Sequence, residues 1–202
     1  MSNFEIIPVS STDFHQNFDR IYEYFRSLKS KGLIFNGKKV ILRHEHLILG
    51  RESEFWHLVS LGLGETFKVL PCTRCESKRI CPTNCDTEAF KVDLKGGLGE
   101  RKLCTYRAHR INFIEPILSL CHIGDPRVMQ FKKKIKNKRS NKWETREFIR
   151  FVDHELDVDY IIILRFNSKS DNYILVAAYP VFYVDSAKQF DKDYVKFKKS
   201  PF

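Results

Sequence analysis

Arg146-Glu-Phe-Ile-Arg-Phe-Val152, Tyr160-Ile-Ile-Ile-Leu-Arg-Phe166 and Tyr173-Ile-Leu-Val-Ala-Ala-Tyr-Pro-Val-Phe-Tyr183 decide the fold class. Each segment is short, rich in β-branched and aromatic residues and bounded by polar residues, so each reads as a strand. Asn167-Ser-Lys-Ser-Asp-Asn172 is a polar turn between the second and third. Asp153, Glu155, Asp157 and Asp159 precede the second strand. They alternate with bulky residues and lack the glycine of a calcium loop, so they read as a solvated acidic turn. Three successive strands with short connections make an antiparallel meander.

Upstream of the meander the apolar spacing is helical. Phe14, Phe18, Ile21, Tyr22, Phe25 and Leu28 recur every three or four residues, which predicts an amphipathic helix over about 12–31. Ser11 or Thr12 would cap it, and Gly32 would end it. In Leu33-Ile-Phe-Asn-Gly-Lys-Lys-Val-Ile-Leu-Arg43 the pair Asn36-Gly37 has the form of a type I′ hairpin turn, which would deliver His44-Glu45-His46 to the end of its second strand. Residues 51–61 read as a helix stopped by Gly62 and Gly64. A further amphipathic stretch runs from about Thr105 through Ile111, Ile114, Leu118 and Cys121, kinked or divided by Pro116, and Gly96, Gly97 and Gly99 mark a flexible join before it. Helices and a hairpin first and a meander last give an α+β fold, expected as a single domain over 1–202. The longest apolar run, Tyr160-Ile-Ile-Ile-Leu, is far short of the roughly twenty residues that cross a bilayer.

Lysine and arginine number 35 against 25 acidic residues, a net charge of +10 that points to a polyanionic partner, with nucleic acid ahead of a membrane surface. The charge is clustered. Lys132, Lys133, Lys134, Lys136, Lys138, Arg139 and Lys142 fall within eleven positions, and Arg101, Lys102, Arg107 and Arg110 form a second group. A solvated face or loop is the other reading of such a run. It lacks the continuous apolar side that an interfacial helix needs.

Pro71-Cys-Thr-Arg-Cys-Glu-Ser-Lys-Arg-Ile-Cys-Pro-Thr-Asn-Cys85 places Cys72, Cys75, Cys81 and Cys85 inside fourteen residues. Ile80 is the one sizeable apolar side chain among them, so burial cannot offset the entropy of ordering this loop, whereas a bound metal can. The expectation is a four-cysteine metal-binding insertion over 70–100 with a structural zinc. An iron–sulfur cluster is the alternative, suggested by the Cys81-Pro82 step, and disulfides are the metal-free one. The opening Met-Ser-Asn-Phe-Glu-Ile-Ile-Pro does not have the form of a basic-then-apolar leader, so the expected compartment is a reducing cytoplasm, where disulfides do not normally form. Cys104 and Cys121 read as small buried or loop residues.

Three of the seven histidines, His44, His46 and His57, lie in one segment with Arg43, Glu45, Arg51, Glu52 and Glu54. Imidazole both takes and gives a proton near neutral pH, and cleavage of RNA by its 2′-hydroxyl needs one group for each task. His44 and His46 would share one side of an extended strand end. His-x-His is also a metal-ligand pair, and His57 on an apolar helix face reads as a core residue. Arg107 and Arg110, one turn apart on a helix, would clamp a phosphate. Tyr173, Tyr179 and Tyr183 would share one face of the last strand, where a phenol can stack on a base.

With histidines at an early strand end, a basic helix-then-sheet order and a closing strand Tyr173-Ile-Leu-Val-Ala-Ala-Tyr-Pro-Val-Phe182, the chain resembles the nuclease superfamily that groups barnase, EndoU and RelE-like toxins, especially its phage-associated branches. Those families often carry Thr-Ala-Tyr in the last strand; here Ala177-Ala178-Tyr179 lacks the threonine hydroxyl. The resemblance spans about 38–60 and 101–195 and leaves out the cysteines. It implies a metal-independent RNase with His44 or His46 as acid or base, Arg107 or Arg110 on the phosphate and Tyr179 near the base. A non-enzymatic zinc-stabilised RNA- or DNA-binding protein is the competing function. A third is an accessory protein of a phage or mobile element whose basic face meets an acidic inhibitor or immunity protein.

Overall fold

The computed structural model describes residues 4–7, 14–43, 46–62, 91–94, 99–137, 141–181 and 184–200. In chain order the elements are α1 (Phe14–Lys31), β1 (Leu33–Phe35), β2 (Lys38–Ile41), β3 (Leu47–Ile48), β4 (Arg51–Glu52), α2 (Ser53–Val59), β5 (Ser60–Gly62), β6 (Lys91–Leu94), β7 (Gly99–Leu103), α3 (Thr105–Ala108), a 3-10 turn (Ile111–Phe113), α4 (Ile114–His122), β8 (Val128–Lys136), β9 (Trp143–Asp153), β10 (Val158–Asn167), β11 (Asn172–Pro180) and α5 (Val184–Lys199). The fold is mixed α+β, with a helix first and a meander late. None of these helices is long and apolar enough to cross a membrane.

Six strands form the central sheet in the order β1-β2-β11-β10-β9-β8. Every pairing is antiparallel except β2 with β11, where Val40 meets Tyr173 and Ile41 meets Ile174 in parallel. Alternation along β10 shows how the sheet is used. Tyr160, Ile162 and Leu164 enter the larger core under α1, α2 and α4, while Ile161 and Ile163 enter a smaller core with Phe131 and Phe148. Phe190, Tyr194 and Phe197 of α5 close that second core. A strand covered on both faces is apolar at every position, which accounts for the unbroken Tyr160–Leu164 run.

Local signals act as the sequence predicts at the first helix and hairpin. Gly32 takes φ +76° and its N–H bonds the Leu28 carbonyl at 3.2 Å, the left-handed stop that glycine allows. Asn36 and Gly37 have φ of 49° and 73°, the pair of positive values a type I′ turn requires.

Elsewhere the fold departs from expectation. The 105–121 stretch divides at His109–Arg110, before Pro116, and that proline sits in the first turn of α4, where its missing N–H has no helical partner to lose. Gly62 lies in β5 rather than stopping a helix, and Gly99 opens β7, paired with Leu94 of antiparallel β6. The basic run contributes β8, an edge strand paired to β9 over nine residues, so the meander has four strands. Tyr173 and Tyr179 do not share a face. Ile163 pairs with Ala177 and Leu164 with Leu175, which leaves Val176 as a bulge, and one extra residue reverses the alternation beyond it. Tyr173 thus joins the larger core, whereas Tyr179 packs beside the smaller one. Tyr183, the four clustered cysteines and the Ser11 or Thr12 cap lie outside the described residues.

Candidate phosphate site at the β11 bulge

Helix α2 is pinned before it begins. The β3–β4 turn places Arg51 against the rings of Tyr22, Phe55 and Trp56, 5.4, 5.7 and 5.3 Å from their centres, with an ion pair to Asp19. Buried Glu52 accepts from the Tyr22 hydroxyl at 2.6 Å and the Lys29 ammonium at 3.1 Å, and Trp56 Nε1 donates to the Ile48 carbonyl at 2.7 Å. Phe55, Trp56, Leu58 and Val59 then fill the larger core. His57 takes the remaining direction, toward β11.

There it meets the bulge. The His57 ring is hydrogen-bonded to the backbone of Val176 in a way that favours the protonated ring, so the acceptor is the carbonyl. A bulge leaves its extra residue outside the regular ladder, and the imidazole N–H takes up the group so released. Burial, then the positive charges of Arg101 and Arg107, outweigh that bond and lower the His57 pKa from 6.5 to about 4. At neutral pH the ring is therefore uncharged. With one nitrogen donating to Val176, the other carries a lone pair able to accept a proton.

Both arginines converge on the chain just after α2. Arg101, on β7, donates from Nε to Ser60 Oγ at 2.6 Å and from Nη2 to the Ser60 carbonyl at 3.1 Å. Arg107, on α3, donates from Nη1 to the same carbonyl and lies 5.1 Å from the centre of the Tyr179 ring. Ser60 Oγ in turn donates to the Trp56 carbonyl. These bonds hold the two guanidinium groups beside His57.

Arg107 is only 8% exposed, and among the described residues no carboxylate pairs with it. Its Nε is buried with no hydrogen-bond partner. The fold treats other arginines differently. Arg150, 4% exposed, is held by Asp159 at 2.6 Å and Asp191 at 2.8 Å, and Arg127 by Asp125 and Asp153, each at 2.8 Å. A buried cation without a counterion is unfavourable, and since no described carboxylate supplies one, the position favours an anion.

Of the expected catalytic residues, the structure joins Arg107 to Tyr179. Arg110 is not the second arm of a helical clamp: α3 ends at Ala108, and Arg110 in the following turn stacks 3.6 Å over the Tyr106 ring. Arg107 and Arg110 both lower the pKa of the buried Tyr160 hydroxyl, against a larger rise from burial. His46 sits at the start of α2, its carbonyl accepting from the Ser53 N–H at 3.0 Å, and its Nε2 is buried with no partner among the described residues. His44 lies outside them, as do Lys138, Arg139 and the Lys102 side chain. His57, read from sequence as a core residue, and Arg101, read as a general phosphate contact, are the residues the geometry adds. Only the one-residue bulge against Ile163–Leu164, invisible in local pattern, brings His57 its acceptor.

Lys132, Lys133, Lys134 and Lys136 do not join this site. Tyr179 pairs with Ile161, which pairs with Arg150, and β8 runs from there toward the far end of the sheet. Among the described residues, no group of three or more histidine, cysteine or acidic side chains is placed to hold a metal. No protein-family profile, curated protein or solved structure matches this chain.

Proposed function

We propose that this chain is a nucleic-acid-directed protein, an RNase whose scissile phosphodiester lies between Arg101, Arg107 and His57. The observation that carries the reading is the buried Arg107 guanidinium, which has no carboxylate among the described residues and an unused Nε–H. A phosphodiester supplies the missing charge and the acceptor oxygens. His57 takes the proton of the 2′-hydroxyl as that oxygen bonds to phosphorus. The bond to the 5′-oxygen breaks, and His46 or His44 gives the leaving oxygen a proton, so the products are a 2′,3′-cyclic phosphate and a 5′-hydroxyl. Arg107 and Arg101 stabilise the charge that grows on the non-bridging oxygens, and the Tyr179 ring keeps the Arg107 plane in place. Ser53 and His57 are one helical turn apart, so the backbone bond from Ser53 keeps His46 close to the same helix.

This reading agrees with the membership suggested by the resemblance to the barnase, EndoU and RelE-like nucleases, with His57 in place of His44 or His46 as the base. Cys72, Cys75, Cys81 and Cys85 offer four thiolates, a donor set of the number and softness that a structural zinc takes, in a stretch between β5 and β6. Zinc there would order the loop.

The test is cleavage of mixed single-stranded and structured RNAs, with product ends identified. His57→Ala should lower turnover by about 100- to 10,000-fold, and Arg107→Gln should also reduce it, with cleavage by the wild type persisting in chelator while the fold holds. RNAs left uncut by the wild-type protein, or full activity in His57→Ala, would remove the enzyme reading and leave a binding protein.

A further inference from the structure

The β8–β9 hairpin carries a second surface, far from His57. In its register Lys132 lies opposite Glu147, Lys134 opposite Thr145 and Lys136 opposite Trp143, so these side chains share one face of the hairpin. Trp143 is 69% exposed, an unusual position for an indole, and Lys142 is exposed beside it. The two faces of the hairpin differ in charge. On the α5 side Lys133 is paired with Asp193 at 2.6 Å, and Arg146 and Arg165 share Glu144. On the Trp143 side Lys132 has Glu147 at 3.1 Å, while among the described residues Lys136 has no ion-pair partner.

We infer that this face binds single-stranded nucleic acid, with Trp143 stacking on a base and Lys132, Lys134 and Lys136 following the backbone. Alternate residues of a strand are about 6.8 Å apart, close to the repeat of phosphates along an extended single strand. An indole face open to solvent stacks on any base that is free of a duplex, and lysines add a sequence-independent attraction. The row carrying Trp143 is seven residues along β9 from Arg150, roughly 25 Å, so the surface is separate from the phosphate site and its binding does not require catalysis.

The test is a titration with a 12-mer of deoxythymidine, which lacks the 2′-hydroxyl and stays intact whether or not the protein cleaves RNA. The chain has two tryptophans, and Trp56 is 5% exposed, so quenching of the indole emission reports on Trp143. Quenching should saturate, and a 12-mer of uridine should bind His57→Ala protein in the same way. Trp143→Ala should weaken binding by roughly 5- to 150-fold, with Trp143→Phe restoring most of it. Because Trp143 is exposed, both variants should keep the wild-type circular dichroism. Lys134→Gln with Lys136→Gln should flatten the dependence of log Kd on log salt by about 1.4, or 0.7 per lost phosphate contact. Three results overturn the inference: no quenching, equal affinity of Trp143→Ala and wild type, or equal quenching by a duplex of the same sequence. Polyglutamate that quenches Trp143 and displaces the oligonucleotide at equal charge would assign the face to an acidic protein instead.

Discussion

His57→Gln removes a titration that the fold has displaced. The ring titrates near 6.5 in an unfolded chain and at about 4 in the folded protein, because burial and the charges of Arg101 and Arg107 oppose its protonation. Above pH 6.5 neither state binds a proton there, and the group leaves stability unchanged. As pH falls below 6.5 the unfolded chain takes up a proton that the folded one refuses, so wild-type stability drops until the folded ring also protonates near pH 4. The full displacement corresponds to about 3 kcal/mol, of which about 2 kcal/mol is lost by pH 5. Urea unfolding of wild type and His57→Gln at matched pH isolates this group, since the carboxylates held low by Arg127 and Arg146 titrate alike in both. The gap between the two proteins should move against wild type by those amounts between pH 7 and pH 4. Inorganic phosphate bound between the arginines would offset two of the three causes, so the Hε1 resonance of His57 should titrate at higher pH in its presence. Parallel stability curves, or a ring that titrates near 6.5 without phosphate, would refute the burial and the charge placement together.

Two further outcomes follow from the same contrasts. Arg107→Met should leave stability unchanged or raise it, since it removes a buried cation that has no carboxylate among the described residues, while Arg150→Met should lower it by about 2 kcal/mol by leaving Asp159 and Asp191 facing each other without their shared donor; thermal and urea unfolding check both. Purified protein should hold about one zinc per chain by elemental analysis, and Cys75→Ser should abolish it; a metal-free wild type would end that reading.

The sequence was most legible where one or two residues determine the backbone. Asn36-Gly37 and Gly32 did so through positive φ, and the Tyr160–Leu164 run through burial on two sides. Lysine is a poor strand former, and β8 takes its form from pairing with β9, a long-range contact that local preference does not carry. Helix α5 had a readable stripe in Phe190, Tyr194 and Phe197, obscured by the charges between them. The site was half legible. Arg107 and Tyr179 could be named from residue type, but the meeting of Arg107 with Tyr179 and of His57 with Val176 depends on the register of β10 and β11, and the faces of Tyr173 and Tyr179 on one residue of bulge.

The parallel pairing of β2 with β11 has a consequence for synthesis. The first hairpin is made early, yet the strand it pairs with is the last of the sheet, more than 130 residues later. Until Asn172–Pro180 has left the ribosome, the first hairpin lacks the strand that joins it to β10, His57 lacks Val176, and Arg107 lacks Tyr179. Assembly therefore ends, rather than begins, with the sheet's middle, which makes for slow closure and a long exposed interval. A nascent chain stopped short of β11 would be a poor folder, and it would also carry none of the completed phosphate site.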